Sequence, residues 1–326
     1  MTTVARQPRR AGAAAAATES EFVQQAEPLR RELLAYCYRL SGSVHDAEDL
    51  VQEAMLRGWR SYDTFRGEAS VRTWLYRIAT NAFLSGRRRR RHLPSDLGPP
   101  ATDISLDAIL DEGVAWLEPL PDALVADDAD PERKVVDGER LRLALTAALQ
   151  RLPPRQRSAL LLREALDYSA AEIAELLGTS GPAAKSLLQR ARATLGAIGE
   201  RPDGTDAPTA ARLLETYVRA FETADVGLLE RTLHEDATLE MTPARTWFSG
   251  RATCLPYLAL VIGEPGDWSA RPTGANGQPA AVAYRRGQPF AVVVLGIRDG
   301  SIGRISLFGD PAVIQRFVGV RRRGRT

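Results

Sequence analysis

Apolar residues along the first quarter of the chain recur at three- and four-residue intervals. Ala47, Leu50, Val51, Ala54, Met55 and Trp59 share one such stripe, which predicts a helix with that face buried. Glu48, Asp49, Gln52, Glu53 and Arg57 fall largely outside it and are free to meet a partner. Val71, Trp74, Leu75, Ile78, Ala79 and Ala82 predict a second helix with Arg72, Arg77 and Asn81 at its polar margin. From 133 to 198 helical periodicity returns. Leu141, Leu145, Ala148, Leu149 and Leu152 form a stripe that Pro153 and Pro154 stop, and Arg155 to Leu166 continues as the next helix. Ser169 with Glu172 three residues on reads as a capping box ahead of Ile173, Ala174, Leu176 and Leu177, and Gly178 supplies a turn. Pro182 is tolerated in the first turn of a following helix whose Ala184, Leu187, Leu188, Ala191, Leu195 and Ile198 face inward. Lys185, Ser186, Gln189, Arg190 and Arg192 are left on or near the opposite surface. Two short helices around a tight turn, the second basic, describe a helix-turn-helix, with a purely structural hairpin as the alternative.

After 208 the pattern changes. Ala210 to Ala224 and Cys254 to Ile262 read as helices. Ala237 to Met241, Trp268 to Thr273, Ala280 to Arg286, Phe290 to Ile297 and Ser301 to Phe308 read as strands, with Asp299-Gly300 suited to a hairpin turn. The expected architecture is therefore two all-α domains, the second with a helix-turn-helix, followed by an α+β domain with a curved sheet. The boundaries expected are a disordered tail over 1–20, helical domains over 21–93 and 133–200, linkers over 94–132 and 201–208, the α+β domain over 209–318 and a basic tail over 319–326.

Charge sharpens this division. The net charge of +2 hides 13 basic and 9 acidic groups over 21–91, 11 acidic groups and no Lys or Arg over 94–132, and 12 basic against 7 acidic groups over 133–201. Two basic blocks thus flank an acidic, proline-punctuated connector. Within it Leu106, Ile109, Leu110, Val114, Trp116, Leu117 and Leu120 are spaced either to dock on a surface or simply to tether. The arginine run Arg87, Arg88, Arg89, Arg90 and Arg91 repels itself, which a polyanion relieves and a solvated boundary also accommodates. Trp74, in an apolar stripe, serves either the core or base stacking, and Phe65 in the preceding loop poses the same choice.

Composition excludes other classes. With 326 residues, 44% hydrophobic and 26% charged, the chain has material for two or three cores and is not globally disordered. Cys37 and Cys254 have no metal-ligand spacing, which fits a reducing cytoplasm. No apolar run is long enough to span a membrane, and the alanines after Arg10 lack the core of an export signal. No phosphate-binding loop, dinucleotide fingerprint or histidine-rich metal motif occurs, so neither a cofactor nor metal catalysis is expected. In the α+β part, His234, Asp236, Met241, Trp247 and Tyr284 are the candidates for a pocket, with core packing as the competing use of the same residues.

DAEDLVQEAMLRGW at 46–59 and SYDTFRGEASVRTWLYRIATNAFLSGRRRRR at 61–91 resemble region two of the extracytoplasmic-function group of sigma-70 factors. LPPRQRSALLLREALDYSAAEIAELLGTSGPAAKSLLQRARATL at 152–195 resembles region four. The resemblance implies a non-enzymatic specificity factor whose partners are core RNA polymerase and promoter DNA. On the matching positions, Asp46, Asp49, Gln52 and Glu53 are implied to bind the core enzyme. Asp63, Phe65, Arg66, Arg72, Trp74, Arg77, Asn81 and the arginine run are implied to read and open the −10 element. Lys185, Ser186, Gln189 and Arg190 are the contacts implied for the −35 element, although the SGPAAK stretch departs from the commoner valine-containing start of that helix. AWLEPLPD at 115–122 and ANGQPAAVAYRRG at 275–287 resemble features of members that carry a fused SnoaL-like domain. That likeness implies a regulatory role, with a small-molecule ligand or a regulatory protein as its partner. The alternatives are an ordinary helix-turn-helix regulator, and a pocket enzyme with accessory DNA-binding regions.

Overall fold

A computed structural model describes residues 20–67, 69–86, 89–104, 111, 113–125, 141–198 and 206–319. Of the tails expected over 1–20 and 319–326, residues 1–19 and 320–326 lie outside these residues, as do Arg87, Arg88, and Leu106, Ile109 and Leu110 of the acidic segment. The helices in chain order are α1 (Arg30–Ser41), α2 (Val44–Ser61), α3 (Val71–Ser85), α4 (Leu143–Gln150), α5 (Pro154–Leu166), α6 (Ala170–Leu176) and α7 (Gly181–Ile198). The C-terminal part then runs α8 (Ala207–Glu222), α9 (Val226–Thr232), β1 (Leu233–Thr242), β2 (Trp247–Ser249), α10 (Arg251–Val261), β3 (Trp268–Ala275), β4 (Gln278–Arg285), β5 (Gln288–Arg298), β6 (Ser301–Phe308) and α11 (Pro311–Gly319).

These elements gather into two units that do not follow chain order. In the first, α1–α3 share a core with α5–α7. Leu33, Leu40, Leu50, Leu75, Leu161 and Leu162 are fully buried, and α5 packs on both α1 and α3. Local signals end these helices as the residues require. The Ser70 hydroxyl caps α3 by accepting from Thr73 N at 3.1 Å. α5 starts at Pro154 and stops where Asp167 turns left-handed at φ 52°. The Ser169/Glu172 capping box forms, with Ser169 N donating to Glu172 Oε2 at 2.7 Å and Glu172 N to Ser169 Oγ at 3.3 Å. Gly178 makes the turn at φ +58°.

Trp59 departs from its expected place in the buried stripe of α2, since 45% of it is exposed. At 100° per residue it lies well off the line through Ala47, Leu50, Val51 and Ala54, whereas Gly58 lies on it. A Cβ at Gly58 would stand 3.0 Å from Leu75 and 3.1 Å from Phe22, so the helix approaches its neighbours there through a bare backbone.

The second unit is built on a six-stranded sheet of order β2-β1-β6-β5-β4-β3, in which β1 and β6 are parallel and all other neighbours antiparallel. Asn276-Gly277, Arg286-Gly287 and Asp299-Gly300 have positive φ at both positions, the two-residue turns that match the twist of hairpin strands. Register shifts at Ala283/Tyr284 and Gly296/Ile297 bend the sheet. Period-two alternation then divides its faces. Ala281, Val293 and Leu295 face a core made with α8, α9 and α10. Ala280, Val282, Val292 and Val294 face a second core that contains Leu93, Leu117, α11 and the Leu143 and Ala147 side chains of α4.

The acidic segment, where described, lies along this sheet. Its backbone pairs with the β3–β4 turn, where Leu120 N donates to Asn276 Oδ1 at 2.9 Å and Asn276 N to Leu120 O at 2.9 Å. Asn276, fully buried, also donates from Nδ2 to Leu141 O at 2.7 Å. Gly277 N donates to Asp122 Oδ1 at 2.8 Å and Leu143 N to Gln278 Oε1 at 2.9 Å. One turn of the sheet thereby holds both flanks of the chain that runs from 123 to 140.

Candidate nucleic-acid interface

The outer face of α2 is the first functional surface. Asp49, Gln52 and Glu53 come together there with Leu56, Arg57 and Arg60 around a shallow depression. Arg57 donates to Glu53 Oε1 at 2.6 Å, and His45 lies 3.7 Å from Asp49. Asp46 is half-buried in the first turn. Leu56 and Trp59, each 45% exposed, add apolar area to the same helix surface. Charge around exposed large apolar groups is the chemistry of a protein-binding patch. Periodicity in threes and fours assigns Trp59 inward and does not single out Leu56, and the angular position of Trp59 is the signal that marks it as outward.

Beyond α2 the chain makes an aromatic cluster. Phe65 stacks on Trp74 with ring centroids 4.8 Å apart, and Tyr62 lies 5.8 Å from Phe65 and 6.3 Å from Trp74. Phe65 and Trp74 are half-buried, so each keeps ring surface outside the core, while Asp63, Arg66, Arg77 and Asn81 are exposed. Arg72 is engaged within the unit. It donates from Nε to Glu32 at 2.5 Å and from Nη2 to Ala165 O at 2.9 Å, and its guanidinium sits 5.1 Å from the centre of the Tyr76 ring. Of the arginine run, Arg89 and Arg90 are exposed, and Arg91 is half-buried, donating to Trp116 O at 3.4 Å.

On α7, Ala184, Leu188 and Ala191 are buried and Lys185, Gln189, Arg190 and Arg192 are exposed, with Ser186 intermediate. The basic and amide groups thus occupy a continuous outer surface that begins one turn into α7. The helices before it are held by arginines that periodicity did not single out. Arg155 donates to Leu177 O at the end of α6. Arg157, 4% exposed, donates to Leu40 O and to Leu152 O and lies 5.8 Å from the Phe83 ring centre. Arg39 pairs with Glu164. An aliphatic-looking helix with charged groups turned inward gives no periodic signal for such contacts.

The five pocket candidates of the C-terminal domain are dispersed. Met241 lines a cavity of about 220 Å³ between the sheet and helices α8 and α10. His234 Nδ1 lies 2.7 Å from Arg298 Nη2, which also donates to Asp236 at 3.1 Å on the exposed side of the sheet. Trp247 donates to Gly98 O at 2.9 Å, and Tyr284 packs against the core on the other face. Among the described residues no group of three or more His, Cys, Asp or Glu is placed to hold a metal ion. Burial pushes the Cys254 thiol up to about 11, which makes it an inert core group. No helix among the described residues is long and apolar enough to cross a membrane.

The helical parts match two family models, sigma-70 region 2 over residues 26–93 and sigma-70 region 4 over 142–195. The ECF RNA polymerase sigma factor SigG of Mycobacterium tuberculosis is 43% identical over 309 residues, covering 91% of this chain and 83% of that protein. The chain belongs to the ECF sigma factor family. SigJ of the same organism is 30% identical over 303 residues, covering 86% of this sigma factor and 89% of SigJ. The crystal structure of Mycobacterium tuberculosis SigJ superimposes with a TM-score of 0.62 at 27% identity, covering 90% of this chain and 98% of that one. The likeness therefore extends through the sheet domain, whereas SigW of Bacillus subtilis, 31% identical, spans 54% of this chain. As an ECF sigma factor the protein binds core RNA polymerase, recognises promoters and initiates transcription.

Proposed function

We propose a division of this activity among specific residues. Asp49, Gln52 and Glu53, with Asp46 beside them and Leu56 and Trp59 completing the patch, bind the core enzyme. Asp63, Phe65, Arg66, Trp74, Arg77 and Asn81 meet the −10 element. Phe65 and Trp74 offer a stacking platform to opened bases and the arginines neutralise phosphates. Arg72 joins them when its bonds to Glu32 and Ala165 are exchanged for phosphate, and the arginine run extends the positive track. Lys185, Ser186, Gln189 and Arg190 read the −35 element in the major groove. The observation that carries this reading is the exposure pattern of α7, where Lys185, Gln189, Arg190 and Arg192 are exposed together while Ala184, Leu188 and Ala191 are buried and Leu187 and Leu195 are half-buried.

The C-terminal part is a SnoaL-like regulatory domain in this reading. Support comes from its curved sheet, from its cavity and from the β3–β4 turn that grips the acidic segment and the start of α4. A small molecule in the cavity, or a regulatory protein on the domain, would act on region four through that grip. The contact assignment is tested by reconstituted transcription on promoters that differ at single −35 positions. Arg190→Ala should lose discrimination at one position by about 1–3 kcal/mol, the worth of one bidentate base contact. Unchanged discrimination across the −35 element would overturn it.

A further inference from the structure

The cavity under the sheet is carved by small residues. Ala270 of β3 pairs with Ala283 of β4, and Ala281 of β4 with Val293 of β5, so alanines stand where larger side chains would fill the space. The remaining wall is carbon-rich, with Phe221, Leu239, Met241, Leu258 and Trp268 prominent. At about 220 Å³ it exceeds the ~150 Å³ apolar cavity that accepts benzene. The charged lining residues, Glu222 and Arg285, are both exposed and belong to its rim. Phe290, 46% exposed, stands edge-on to Trp268 at 5.1 Å.

Two polar atoms break the apolar wall. Tyr217 and Tyr257 are only 5% and 8% exposed, and among the described residues neither hydroxyl has a protein hydrogen-bond partner. A phenol hydroxyl without a protein partner on the wall of an apolar cavity is free to donate to an occupant. Burial raises the pKa of both phenols, so each hydroxyl stays protonated and can donate.

We propose that this cavity binds a compact, neutral, largely carbocyclic compound of one or two rings whose single carbonyl oxygen accepts a hydrogen bond from Tyr217. A carboxylate or phosphate suits it poorly, because the cation on its lining, Arg285, is exposed at the rim with its guanidinium 5.3 Å from the Trp268 ring centre, and offers little to offset desolvation of an anion held inside. Flat rings suit the Phe221 and Trp268 faces. The strands that line the cavity carry the acidic segment and α4 on their opposite face, which gives an occupant a route to region four through Ala280, Val282, Val292 and Val294. This deepens the regulatory reading proposed above. Because binding is measured without polymerase, its failure leaves promoter-directed initiation untouched.

The test is calorimetric titration of the full-length protein with the bicyclic ketone 1-tetralone, its oxygen-free counterpart tetralin, and the anion 2-naphthoate. Tetralone should bind about five- to tenfold more tightly than tetralin, and naphthoate more weakly than either. Tyr217→Phe should erase the preference for the ketone while leaving tetralin unchanged, and Ala270→Leu should weaken both neutral ligands by filling the space. The Tyr217→Phe comparison decides the matter even if Ala270→Leu fails to fold. The proposal is overturned if no neutral probe binds, if tetralin equals tetralone, if the preference survives Tyr217→Phe, or if naphthoate binds best.

Discussion

Gly58 and Trp59 show how one position of helical phase separates core from contact surface. The glycine lets α2 close on Leu75 and Phe22, and the tryptophan beside it is turned outward. Gly58→Leu should therefore destabilise the protein by about 1–3 kcal/mol in urea unfolding, because overpacking outweighs the gain in helix propensity. Trp59→Ser should change stability by less than about 0.5 kcal/mol yet weaken core polymerase binding at least tenfold in a titration, as expected of an exposed aromatic anchor. The sequence pattern alone put both residues within a helix but assigned the tryptophan inward. A stripe counted in threes and fours tolerates a drift that the true 100° step does not. Arg157 is the opposite case, a charged residue buried because Leu40 O and Leu152 O lie within its reach, and only tertiary structure reveals that.

Elements with strong local chemistry were legible in the sequence. The capping box of α6, the Gly178 turn and the Asp299-Gly300 hairpin each form from residues adjacent in the chain. Elements that depend on distant partners were not. β2 is three residues long and exists through its pairing with β1, and the acidic segment pairs with it where Ala101 N donates to Trp247 O at 2.7 Å. Nor was the destination of α4 readable, since its LALTAALQ sequence is apolar well beyond the stripe through Leu145, Ala148 and Leu149, and that stripe does not say what the helix packs against. Ser169→Ala should cost about 1 kcal/mol of stability through loss of the α6 cap. The Ser169 hydrogen bonds hold the Glu172 carboxyl below its ordinary range, so its contribution is present above the unfolded-state value and is lost as pH falls through the lower folded one. Glu172→Gln keeps an acceptor, and the acid limb of a pH–stability profile should flatten accordingly. In the sheet domain, Asn276→Gly keeps the positive φ of the turn but removes two side-chain bonds to Leu120 and Leu141. It should lower stability by about 1–3 kcal/mol and speed amide exchange at Leu120.

At the scale of the whole molecule, sequence order and packing order differ. Region four is shared, with α4 on the sheet and α5–α7 in the core that also holds region two. Both cores were visible as apolar stripes, but periodicity names faces without saying which faces meet. The family activity rests on the two helical regions, and the sheet domain is tied to the chain that joins them. Mapping RNA 5′ ends made by purified core polymerase on a promoter library, with and without the full-length protein, tests this most directly. The account predicts that the protein concentrates start sites at a fixed distance downstream of paired −35 and −10 sequences. A start-site distribution identical to that of the core enzyme alone would contradict it.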